Sequence, residues 1–159
     1  MPTLPQLIEE DIGELNNAMQ ELLIKSDTTS ALILDKGGFI ITQCGPTGNL
    51  DTMTLAALSA ASYAATESIA TLVGETNFTS VYQQGEQSSL LVINVDEFCL
   101  LAVIFKASVT VGVVKYFAGP AAKKIAEQMQ VAQEREPGAG LDLSVLNMAD
   151  TSDVFKRKR

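Results

Sequence analysis

Two cysteines, Cys44 and Cys99, nineteen carboxylates and three arginines are the groups with which this sequence could do chemistry, and it has no histidine. Covalent catalysis needs a Ser, Cys or Thr nucleophile beside a base that takes its proton. That base would have to be a lysine or a carboxylate, and no motif brings one to either cysteine. Each cysteine sits in an apolar, strand-like run, which predicts buried thiols in a reducing compartment rather than a disulfide. A structural zinc site has too few ligands. The carboxylates gather in the first apolar-periodic segment and in turns, where a solvated charged face explains them better than paired acid–base work. Gly37-Gly38 and Gly45-Pro46-Thr47-Gly48 are glycine-rich, but neither completes the Gly-x-x-x-x-Gly-Lys-Ser/Thr phosphate cradle, and both read as turns. No catalytic residue, metal ligand or cofactor is indicated. The expectation is a protein that works by binding another protein, not an enzyme with a pocket of its own.

Charge narrows the partner. The net charge is −8, and residues 156–159 alone hold four of the eleven basic groups. Seven basic groups are left against nineteen acidic ones, a balance that repels nucleic acid and anionic lipid. No charged and then apolar leader opens the chain, and no apolar run approaches the ~18 residues of a membrane span. A cytoplasmic protein is expected, with no nucleic-acid partner and no membrane insertion.

The elements that would position a binding surface are legible from periodicity. Leu4, Ile8, Ile12, Leu15, Met19 and Leu22 recur at helical spacing, with Pro5 suited to a first turn. Strand-like runs follow at 31–34 and 39–44, joined by the glycine turn at 35–38. An alanine-rich helix spans about 50–73, with Asn49 or Asp51 to cap it and Gly74 to close it. Three more strand-like runs, 79–84, 89–95 and 98–105, precede a last helix from about 109 to 134. Gly119-Pro120 should kink or break that helix. The order α-β-β-α-β-β-β-α predicts an α+β domain, a five-stranded antiparallel sheet sandwiched between helices. The near-continuous apolar strands favour the first and third helices on one face and the second on the other. Residues 1–134 form the expected domain. Residues 135–159, after the Pro137-Gly138 joint, are expected to be a flexible tail able to add a partner contact through Leu143, Leu146 and Met148.

The second helix is the most informative segment. Leu55, Leu58, Ala65, Ile69 and Leu72 are expected to face the sheet. About 100° round the cylinder, Ala57, Ala61, Ala64 and Ser68 form a stripe of small side chains that would let a partner's backbone approach closely. The helix has few charges, as a covered surface would. Residues 79–84 should form an edge strand, free to pair with a second copy through Thr79, Val81 and Gln83 and so bring two second helices together.

These blocks resemble the Roadblock/dynein light-chain family. The likeness is carried by the hairpin ALILDKGGFIITQCG, the N-L-D entry to LAALSAASYAATESIATLVGE, the LLVINVD and FCLLAVIF strand pair and the helix SVTVGVVKYFAGPAAKKIAEQM. It covers about residues 4–129. Within the family the patterns D-K-x-G, N-x-D-T and L-x-G-E-x-x-F, present at residues 35–38, 49–52 and 72–78, are similar to bacterial gliding-motility members. The resemblance implies a homodimer that binds a small Ras-like GTPase through the second helix, at Ala57, Ala61, Ala64 and Ser68, and stimulates GTP hydrolysis. A family scaffold that only tethers other proteins is the alternative. Arginine occurs only at 135, 157 and 159, at or beyond the end of the last helix. An activator of this kind would therefore lack an arginine finger and would act by holding the GTPase's own switch loops in place.

Overall fold

The computed structural model describes residues 3–135. The elements are α1 (Glu9–Ser26), β1 (Ser30–Asp35), β2 (Ile40–Cys44), α2 (Thr52–Leu72), β3 (Ser80–Gln84), β4 (Ser88–Asn94), β5 (Cys99–Lys106) and α3 (Val111–Glu134). The strands form one antiparallel sheet in the order β2-β1-β5-β4-β3. This is the α+β arrangement the periodicity predicts. β3 is an edge, as expected.

Two cores lie on opposite faces of the sheet. On one, Leu15, Met19 and Leu22 of α1 and Val114, Ile125 and Met129 of α3 pack with Ile33, Leu91, Leu101 and Phe105. On the other, Ala56, Ala60 and Tyr63 of α2 pack with Leu32, Leu34, Val92, Leu100 and Ala102. β1 and β5 are therefore covered on both sides, which is why they read as unbroken apolar runs.

Helix α1 starts later than its stripe suggests, because Asp11 decides the start. Its carboxylate accepts a hydrogen bond from the Ile8 N–H at 2.8 Å, satisfying a donor the helix cannot. Pro5 thus precedes the helix instead of opening it. Asp11 also takes both guanidinium nitrogens of Arg135, at 2.8 and 2.9 Å, and the Gln128 amide at 2.7 Å. The start of α1 is thereby tied to the end of α3. The Arg135 hydrogen bonds, against the opposing effect of burial, lower the carboxyl pKa from 3.8 to about 2.

Helix α3 does not break at Gly119-Pro120; a single helix runs through Pro120. Both residues lie on the exposed side. The carbonyl that loses its donor there can turn to water, so the interruption costs little.

The cysteines are not close enough to join. Cys44 pairs with Ala31 and Cys99 with Asp35, at opposite ends of β1 and on the strands that flank it, so about 13 Å along the strands and about 10 Å across them keep the thiols far beyond disulfide reach. Burial pushes the Cys99 thiol far above its usual pKa, so it is a packing residue.

Gly38 sets how closely α2 sits on the β1–β2 turn. It has φ +94, and a Cβ there would stand 2.9 Å from the Ala57 Cα. Gly38→Ala is expected to cost about 2 kcal/mol, through an unfavourable φ and a backbone clash. A lowered urea midpoint with unchanged slope would register it.

Candidate partner-binding face

Helix α2 is well made at both ends. Asp51 accepts from the Thr54 N–H at 3.1 Å and the Thr54 hydroxyl at 2.6 Å, which holds its carboxyl below the usual pKa. At the other end Gly74 takes φ +82, and the Glu75 N–H reaches the Ala70 carbonyl at 2.8 Å.

Which side of α2 meets the sheet differs from the expectation. The buried residues are Ala56, Ser59, Ala60, Tyr63 and Ala70. Leu58, Ile69 and Leu72, expected to face the sheet, are 63%, 51% and 86% exposed, and Ala65 is exposed as well. Leu55 alone of that set is partly buried against the second core. The reason is steric. The sheet face already carries Leu32, Leu34 and Leu100, and the Gly38 turn approaches the helix backbone, so alanines fit beneath α2 where leucines would not. Tyr63 fills the remaining depth. Its hydroxyl donates to the Phe78 carbonyl at 3.1 Å and accepts from the Asn77 amide at 3.0 Å. Desolvation raises its pKa.

Two surfaces of α2 therefore meet solvent. On the flank near the Gly38 turn lie Ala57, Ala61, Ala64 and Ser68, all exposed. Further round lie Leu58, Ile69 and Leu72. Along its whole length, Thr52–Leu72, the helix carries a single charged residue, Glu67. An isolated solvent-facing helix would ordinarily be studded with charge. Scattered exposed leucines are ordinary, but a continuous uncharged apolar ridge on one helix is not.

The edge strand lies on the same side. Val81 packs with the α2 core, while Thr79, just before β3, and Gln83 are exposed. Leu143, Leu146 and Met148 lie outside the described residues.

Two hollows flank α2. A groove of about 540 Å³ at its start is walled by Pro46, Leu50, Leu55, Gln83, Gln84 and Ser88, and no ionisable side chain lines it. A second cavity, of about 220 Å³, lies between α2 and the β1–β2 and β4–β5 turns, with Lys36, Tyr63, Ala64, Glu67 and Glu97 in its walls. In the sequence Lys36 reads as a turn residue only. Its tie to Asn94, 58 positions along the chain, has no local signature. The described residues contain no helix long and apolar enough to cross a membrane, and no group of three metal-capable side chains.

The Roadblock/LC7 domain family matches residues 14–105, more than half the chain. The chain belongs to the Roadblock/LC7 family. Among solved structures, the Roadblock chain is similar to an MglB with a tetrameric arrangement, at 27% identity and TM-score 0.77, covering 83% of this chain and 99% of that one. The gliding protein MglB of Thermus thermophilus aligns at 27% identity and TM-score 0.76 over 83% of this chain and 100% of its own. Myxococcus xanthus MglB aligns at 26% identity and TM-score 0.75, over 83% and 99%. No curated protein sequence matches. Family membership and these neighbours place the chain with Roadblock-type adaptors and regulators.

Proposed function

We propose that this Roadblock chain is a homodimer that binds an MglA-like small Ras-like GTPase through α2 and stimulates its GTP hydrolysis. The observation that carries the proposal is the exposed, uncharged ridge of α2 in a chain whose structural neighbours are MglB proteins. Ala57, Ala61, Ala64 and Ser68 are the docking residues. Two copies pair along β3 through Thr79, Val81 and Gln83, which brings Leu58 and Ile69 of each α2 toward the twofold axis. Leu143, Leu146 and Met148 supply an additional contact from the tail.

The mechanism does not need an arginine from this chain. Arg135, the single arginine among the described residues, is held bidentate by Asp11 where α1 meets α3, on the sheet face opposite α2, which supports this reading. Activation then comes from binding the hydrolysis-competent arrangement of the GTPase switch loops more tightly than the others. The experiment is multiple-turnover GTP hydrolysis by the purified GTPase with and without this protein. A rate raised at least about tenfold, corresponding to about 1.4 kcal/mol of barrier, is expected. Tight binding with an unchanged rate would leave a tethering adaptor in place of an activator.

A further inference from the structure

We propose that the cavity beside Ala64 is a socket for one carboxylate side chain of the GTPase, and that Lys36 is the group that binds it. This rests on the docking face proposed above and adds the chemistry of one contact within it. Lys36 is half-buried at the β1–β2 turn. Its Nζ donates to the Asn94 Oδ1 at 2.6 Å and stands 5.3 Å from the centre of the Tyr63 ring. Both partners are neutral. An ammonium has three donors, and one is used here. Among the described residues no carboxylate forms an ion pair with Lys36, although Glu67 and Glu97 line the same cavity.

With only neutral partners in contact, two of the Lys36 donors remain free for an acceptor that enters the cavity. The site is also preorganised. Tyr63 is fixed by Asn77 and Phe78, and Asn94 is fixed in the sheet, so the lysine has already given up much of its rotamer freedom. The cavity, about 220 Å³, is ample for an aspartate or glutamate side chain and opens beside Ala64, in the middle of the small-residue stripe. A guanidinium entering here would meet Lys36 at the wall and gain only from Glu67 and Glu97, whose exposed charges are screened by solvent.

The test is calorimetric titration of the full chain with the small GTPase loaded with a non-hydrolysable GTP analogue. Lys36→Met, Lys36→Arg and Ala64→Arg are compared with the natural chain at low and high salt. The expected result is an affinity loss of about tenfold for Lys36→Met, with a weaker salt dependence, and near-natural binding for Lys36→Arg. Lys36→Gln repeats the measurement should the methionine variant fold poorly. Natural affinity for both neutral variants, with binding lost in Ala64→Arg, would overturn the socket and leave the docking face standing. Natural affinity for Ala64→Arg would overturn both.

Discussion

Ala64→Arg is expected to weaken binding of the GTPase by about 100-fold, equivalent to about 3 kcal/mol, while fold and assembly state persist. Ala64 is exposed on the outer flank of α2, midway along the small-residue stripe. An arginine there can extend into solvent in the free protein, and its helix propensity is close to that of alanine, so the unbound state loses little. In the complex the same side chain would occupy the gap that brings two backbones together. It must either push them apart or be buried without a partner. Glu67, one turn along, can pair with the new arginine and hold it across the stripe, which adds to the obstruction. Titration calorimetry reads the affinity, and light scattering confirms that the mass is unchanged. Natural affinity in a correctly assembled variant would remove α2 as the docking face.

Asp11→Ala is expected to cost about 3 kcal/mol of stability and to lower the melting temperature by roughly 10 °C. The buried carboxylate serves the Ile8 N–H, the Gln128 amide and both nitrogens of Arg135. Truncation removes the helix start, leaves a mostly buried guanidinium without its counter-ion and frees the last turn of α3. The same group gives a pH dependence of definite sign. Its folded pKa of about 2 lies below the ordinary 3.8, so its stabilisation is complete above that ordinary value and is lost as pH falls toward 2. The interval corresponds to about 2 kcal/mol. Urea midpoints of the natural chain should therefore fall between pH 4 and 2, and those of Asp11→Ala should fall less across the same window. Parallel pH profiles for the two chains would show that the clamp contributes nothing.

Much of the architecture was legible because strands and helices advertise themselves by period. The unbroken apolar runs of β4 and β5 foretold coverage on both faces, and that coverage places α2 alone against α1 and α3. The orientation of α2 was not legible. The helix is apolar nearly all round, and the usual rule, that large side chains go inward, failed because the underlying sheet had no room for them. The small residues Ala56, Ala60 and Ala70 are buried while Leu58 and Leu72 stand out. The clue available in the sequence was Gly38, a turn residue whose missing side chain lets strand turn and helix meet. The start of α1 is not legible from the apolar stripe either: a stripe reports a face and not an end, while the capping carboxylate of Asp11 marks where the helix begins. Lys36 and Arg135 could not be assigned from spacing, since each is defined by a partner distant in sequence.

Docking of the GTPase on α2 is the claim on which the rest depends. Hydrogen–deuterium exchange of the full chain, free and saturated with GTPase carrying a non-hydrolysable GTP analogue, reads that directly. Slower exchange concentrated in residues 52–72 and the 35–39 turn is the predicted outcome. Slower exchange confined to α1 and α3, with α2 unchanged, would contradict it.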